Sequence, residues 1–326
     1  MSALSFTAGI HARAISKPSI LKHRASTDPK PRVSFTSTST ATTLHASFSD
    51  PFVLQLAETL EDSIPASSSS VLQTIRESSS QSLLSTPWPS LKDEAFRFTD
   101  TSVIKSCHIE PISMAPQMDW VESEDEDIQT SNLLITDGFL SCSVTSASCL
   151  PDGVYVGSLP GFPDNENLRK IYDILGETFF PGDLFWSING LGAPDIAVIY
   201  VPAGVHVSVP IHLRYVSVVG EDKESKKLPV SNPKVLVVVE DGGEVEIVEE
   251  FCCDDNSCEK SYWANAVVEV IVGKGAKVLH SYLQGHSLYS AHTKWTSVRQ
   301  VWFAHFIFVP HQNVGQILRD RFRQDK

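Results

Sequence analysis

The chain has 326 residues, 42% hydrophobic and 9% aromatic, enough to bury a sizeable core in one large domain or two ordinary ones. A net charge of −13 argues against a phosphate-binding surface, which sets direct nucleic-acid binding aside. No run of about 18 apolar residues occurs, and the most apolar stretch, Val301–Val309, is far too short for a membrane span.

Residues 1–46 stand apart. They contain six Lys or Arg, a single acid (Asp28) and 15 Ser or Thr. Of the chain's 26 basic and 39 acidic residues, 20 and 38 remain beyond this segment, a balance of −18. Basic, hydroxyl-rich and acid-poor is the composition of an organellar transit peptide, and the Ser/Thr excess points to the chloroplast stroma, with cleavage near His45–Ser47. A helical region and connector is expected over 47–130. Asp50 is placed to cap a helix, Pro51 fits its first position, and Phe52, Leu56 and Leu60 recur at helical spacing. After a loop at Ser67–Ser70, "VLQTIRESSSQSLLS" predicts a second helix, stopped by Pro87 and Pro89. "PWPSLKDEAFRFTDTS" sets Trp88, Phe96 and Phe98 among charges. The aromatics are expected to be anchors, and Lys92, Asp93, Glu94 and Arg97 their solvated rim. "VESEDEDIQT" is an acidic connector.

The core is expected over 131–300. "NLLITDGFL", with its Asp-Gly turn, and "LPDGVYVGSL" are strand-like. "DNENLRKIYDILG" is helical, with Leu168, Ile171, Ile174 and Leu175 on one face. From Asp183 onward the pattern turns β. "DIAVIYVPAGVHVSVPIHLRYVSVV", "KVLVVVEDGGEVEIVEEF" and "AVVEVIVGKGAKVLHSYLQ" each place a Gly-containing turn between two β-branched runs. A repeat of this kind predicts stacked coils, each burying its face against the next. The apolar runs are nearly continuous, as for strands covered on both sides. The expected fold is therefore mainly β: a right-handed parallel β-helix core preceded by helices, with a β-sandwich or jelly roll as its rival.

Chemical motifs are scarce. There is no G-x-x-x-x-G-K-[ST] phosphate loop, no G-x-G-x-x-G and no G-x-S-x-G elbow. The six cysteines (107, 142, 149, 252, 253 and 258) fit no common zinc spacing, and Cys252, Cys253 and Cys258 in "CCDDNSC" are expected to be thiols in a loop. His206 and His212 lie six apart and are expected to be ordinary strand histidines. His280, His286 and His292 also recur every six, but a loop at Gln284-Gly285 is expected to break their register. In the acidic group Glu244, Glu246, Glu249 and Glu250, the alternation of Glu244 and Glu246 with Val245 and Ile247 points the acids to solvent. No self-sufficient active site is expected, and no catalytic, cofactor-binding or metal residue is assigned.

Several stretches taken together resemble one family. "PWPSLKDEAFRFTDTS" is similar to a Pro…Lys-x-Glu-x-aromatic-Arg-aromatic-Thr element of the SufB/SufD family of iron–sulfur cluster assembly proteins. "GDLFWSINGLGAPDIAVIYVPAGVHVSVPIHLRY" resembles that family's entry into its β-helix, and the two Gly-turn runs after it resemble the next coils. The SufD-type members of plastids are the nearer likeness, over about Ser47 to Gln300. The resemblance implies a scaffold subunit, not an enzyme, in a complex with SufB-like and SufC-like subunits, SufC being the ATPase. It binds no cofactor alone, and the iron–sulfur cluster is assembled transiently by the complex. The coil carrying Val267 to Leu283 is expected to be the last. A divergent tail is expected over 301–326, from a retained intron or a faulty gene model, since valine codons begin with the GT of an intron and Val301 opens the tail. The family's SufC-binding stretches lie beyond this point, so SufC pairing is expected to be lost. The alternatives are a polysaccharide-acting β-helix enzyme and an inactive truncated isoform.

Overall fold

The computed structural model describes residues 50–63, 69–116, 131–141, 150–164, 166–177, 182–222, 224–253, 259–301, 303–312 and 320–325. The transit segment, the acidic connector and Cys142, Cys149 and Cys258 lie outside the described residues.

Helix α1 (Pro51–Ser63) starts where the sequence places it. Asp50 Oδ1 accepts the Phe52 amide at 2.9 Å, and Val53, Leu56, Ala57 and Leu60 form the buried face. Helix α2 (Ser70–Leu83) is capped by the Ser69 hydroxyl, which accepts the Leu72 amide. In the segment that follows, the Trp88 indole donates to Thr101 Oγ1 at 3.0 Å, and its ring meets Phe52 edge-on at 4.9 Å. Phe96 packs 5.8 Å from Phe185, and Lys92, Asp93, Glu94 and Arg97 are exposed. Phe98 corrects the expectation: it is 93% exposed beside Arg97 and anchors nothing. Glu94–Phe96 forms a single tight 3₁₀ turn.

Helix α3 (Ser102–Lys105) leads into strand β1 (His108–Pro111). Strands β2 (Ser131–Thr136) and β3 (Phe139–Leu140) form the expected Asp137-Gly138 hairpin. Strand β4 (Tyr155–Ser158) runs antiparallel to β5 (Ala197–Val201). Between them helix α4 (Glu166–Glu177) buries Ile171 and Leu175.

A second correction concerns the stretch after Asp183, which is not strand but helix α5 (Leu184–Gly192). Asp183 caps it, with Oδ1 accepting the Trp186 amide at 3.1 Å and Oδ2 accepting the Trp295 indole at 2.9 Å. All residues from Leu184 to Leu191 are buried, so the helix has no polar stripe to betray its period. Gly190 allows the close approach to α2, since a Cβ there would lie 2.2 Å from Ser79 Oγ.

The remaining strands are β6 (Ile211–Ser217), β7 (Lys227–Ser231), β8 (Lys234–Val239), β9 (Glu244–Cys253), β10 (Trp263–Val272), β11 (Lys277–Gly285), β12 (Ala291–Gln300), β13 (His305–Gln312) and β14 (Asp320–Asp325). From β5 onward the chain passes back and forth between two sheets, with β7 and β8 following one another in the first, and each lap lays its strands parallel to those of the lap before. One sheet stacks β5, β8, β10, β12 and β14; the other stacks β2, β6, β9, β11 and β13. Ile199, Leu213, Val237, Ile247, Val268 and Val278 meet between the sheets in one cluster. The outer face of the first sheet is covered too: Phe185, Ile188 and the α1 face lie on Trp263, Val267 and Trp295, while Leu72 and Leu175 cluster with Val198 and Leu236. Burial on both faces explains "KVLVVV", whose six residues are all buried. Strand β9 instead alternates buried and half-buried residues, one face to the core and one toward solvent.

The turns of successive laps also stack. Gly204, Gly242 and Gly275 hold φ of 70°, 71° and 69°, with the Gly204 amide donating to Asp241 O and the Gly242 amide to Lys274 O, both at 2.9 Å. In the next lap that position falls on Phe303, at φ 65°. The break expected at Gln300 is absent from the pairing. His305–Gln312 runs beside β11, Asp320–Asp325 runs beside β12, and the His305 amide donates to Ala276 O. Further strands follow the expected last coil, because Phe306 and Phe308 alternate inward onto the core cluster while Ile307 between them is exposed. Cys252 and Cys253 also depart from the loop reading. They end strand β9, Cys252 as a free thiol and Cys253 disulfide-bonded.

Candidate functional site

Strand parity assembles a polar cluster between the sheets. On β9 the inward positions continue from Val245 and Ile247 to Glu249 and Phe251, and on β11 from Val278 to His280, Tyr282 and Gln284. On β12 His292, Lys294 and Thr296 pair with Ala264, Ala266 and Val268 of β10, and the Ala266 and Val268 side chains belong to the inner cluster. Thus one end of a dry aliphatic interior becomes polar.

At its centre the Glu249 carboxylate, fully buried, lies 2.8 Å from His280 Nε2 and 3.0 Å from Lys294 Nζ. Lys294 Nζ also donates to Thr296 Oγ1 and sits 5.0 Å from the centre of the Tyr282 ring. Burial pushes the Glu249 carboxyl up, but Lys294 and His280 outweigh it and hold it at about 2. The Tyr215 phenol is pushed well above its usual value, first by burial and then by Glu249. Next to this triad, Tyr282 Oη lies 2.8 Å from His292 Nε2, and the rings of His292 and His286 are 4.0 Å apart. Phe251 separates the groups, stacked on Tyr215 at 4.1 Å and edge-on to His292 at 4.7 Å. Burial lowers His286 to about 3. It also takes His292 well below the usual imidazole range, helped by His286 and Lys294. Both rings are neutral at physiological pH.

The expected register break at Gln284-Gly285 comes later, since β11 runs through Gly285, and of the three histidines His286 and His292 meet while His280 joins Glu249. His206 and His212 pair separately, with Glu244 at 3.4 Å and Glu250 at 3.0 Å. Glu244 also binds Lys277, and Arg214 Nε lies 3.2 Å from Glu250. Glu249 is therefore the member of the acidic group that turns inward. Counting two residues on from Ile247 would have found it. Strand β12 had no such signal, because its inward residues are polar.

The cluster offers compensated charge and hydrogen bonding rather than an exposed reactive group. Among the described residues no three or more His, Cys, Asp or Glu are grouped to hold a metal ion. Burial, then Glu250, raises the Cys252 thiol to about 11 despite Arg214, so it is not a thiolate near neutral pH. No described helix is long and apolar enough to cross a membrane.

With parallel laps and the helical cover in view, the chain can be set beside known proteins. Residues 49–213 match the SufBD protein N-terminal region, and residues 220–322 match the SufBD core domain of the SUF system for FeS cluster assembly. The chain belongs to the SufB/SufD family of iron–sulfur cluster assembly proteins. The core match crosses Gln300 without interruption. The chain is 57% identical over 267 residues to the chloroplastic protein ABCI7 of Arabidopsis thaliana, covering 81% of this chain and 55% of that one. It is 27% identical over 240 residues to an iron-sulfur cluster assembly SufBD family protein of Synechocystis sp., covering 71% and 51%. It is thus a plastid member of the family, in keeping with the composition of residues 1–46. The chain spans about half the length of the curated relatives it matches.

Proposed function

We propose that this protein is a non-enzymatic scaffold subunit of the plastid SUF machinery, of the SufD type. Its laps form a right-handed parallel β-helix. It works in a complex with SufB-like and SufC-like subunits, the latter supplying ATP hydrolysis, and the iron–sulfur cluster is cargo rather than a resident cofactor. The observation that carries this reading is the coincidence of the parallel two-sheet ladder with the core-domain match over residues 220–322. The missing phosphate loop agrees with a non-ATPase role. A polysaccharide-cleaving site is not favoured, because Glu244 and Glu250 are engaged by Lys277, His206, His212 and Arg214, and Glu249 is out of reach of any polymer.

The test is co-expression of the tagged chain with SufB-like and SufC-like subunits from the same plastid, with capture and ATPase assay. Co-purification with the SufB-like subunit, and no ATP hydrolysis by the chain alone, is expected. Failure to retain the SufB-like subunit at micromolar concentrations would sink the scaffold reading.

A further inference from the structure

The inner ends of β11 and β12 present hydrogen-bonding atoms that no protein group meets. Both ring nitrogens of His286, both amide heteroatoms of Gln284 and Nδ1 of His292 are buried without a partner. They belong to one neighbourhood. Gln284 is paired in register with Phe251, whose ring contacts His286 at 5.2 Å and His292 at 4.7 Å. Gln284 and His292 are 2% and 1% exposed. A buried polar group left unmet keeps its full desolvation penalty, and these atoms together would rival the whole stability of an ordinary domain. A guest that meets them would remove this penalty.

The lining defines that guest. Both imidazoles are neutral, the amide is neutral, and the nearest charges, Lys294 and Glu249, neutralise each other at 3.0 Å. Among the described residues a metal dication would find no uncommitted carboxylate or thiolate and would face the Lys294 ammonium, and an anion would find no uncommitted cation. What fits is uncharged and small, and it must donate as well as accept, because a neutral imidazole and a carboxamide each present both functions.

We propose that Gln284, His286 and His292 form an internal binding site for small uncharged hydrogen-bonding molecules, occupied by ordered water. Water bound there fixes the tautomer of His292 through Nδ1. It thereby sets the sense of the hydrogen bond to Tyr282 and extends the polar cluster from Glu249 to the loop after Gly285, where Leu288 is 60% exposed. The site does not depend on the scaffold reading, and pull-down results leave it untouched.

The experiment is a crystal structure of the full chain at about 1.2 Å or better, with anomalous data, alongside ¹⁵N NMR of its histidines from pH 8 to 5. Ordered water within about 3 Å of His286 and Gln284 is expected, with no anomalous peak. Both rings should keep neutral-imidazole shifts throughout. Gln284→Leu should lose a water while keeping the Glu249–Lys294 contact. A dry site with Gln284 and His286 turned onto protein partners, a metal peak, or titration of either ring above pH 5 would overturn the proposal. If the variant does not fold, the wild-type density and shifts decide alone.

Discussion

Replacing Lys294 by Met keeps the length of the side chain and removes its charge, isolating the electrostatic part of the buried cluster. Glu249 is then left with His280 as its one remaining ion-pair partner, at 2.8 Å. Lys294 and His280 together hold the carboxyl at about 2 against the upward push of burial, so without Lys294 it moves back up. Breaking one side of a buried ion pair costs about 3–5 kcal/mol in general. The sign with pH follows from the lowered value. The unfolded carboxyl binds its proton first as pH falls, so the contribution is complete above pH 4.5 and disappears on the way to about 2. Urea denaturation followed by circular dichroism at pH 7 reads the loss. The double variant Lys294→Met/Glu249→Gln should recover much of it, because no unpaired charge then remains inside. The reasoning fails if the single variant lies within about 1 kcal/mol of wild type, or if the double variant is less stable than the single.

Lowering the pH from 7 to 5 should itself destabilise the protein. A histidine kept neutral to about 3 in the folded state but titrating at 6.5 when unfolded gives up about 2 kcal/mol over that range, and His286→Phe should remove this share of the slope. Phe303→Gly should raise the melting temperature by about 1–2 °C. It relieves roughly 1–2 kcal/mol of left-handed strain, partly offset by glycine's backbone entropy, and gives up little packing because Phe303 is 75% exposed. Asp183→Ala removes both the cap of α5 and the acceptor of the Trp295 indole, for an expected loss of about 1–3 kcal/mol and an altered near-ultraviolet tryptophan signal.

What the sequence disclosed followed the physics of each element. Asp50 and Pro51 announced α1 because capping is local, and the Gly-centred turns announced the laps because a positive φ excludes most residues. Helix α5 was hidden because it is buried on every side, Ser187 and Asn189 included, so no solvent-facing polar stripe marks its period. Strand β12 was hidden for the opposite reason, since His292, Lys294 and Thr296 face the interior and give no apolar alternation. The cluster around Glu249 was legible only in part. Parity could have turned Glu249 inward, but nothing local brings residues 249, 280 and 294 together. That meeting is set by the pairing register between laps, which comes from the whole stack.

The stacking also limits how the chain can change length. His206, Glu244, Lys277 and His305 stand one above another, at intervals of 38, 33 and 28 residues. The intervals differ, yet the strands and the left-handed turn are kept, so the surplus residues sit in the connections away from that turn. An insertion among Glu224–Lys226 lies outside the strands and leaves the register of every lap unchanged. One extra residue between Gly242 and Glu244 would rotate every side chain of β9 to the wrong face and take Glu249 out of the interior. Variants of this protein should therefore differ in length at the far connections or by complete laps, and hardly at all within the Gly-turn and the strand that follows it.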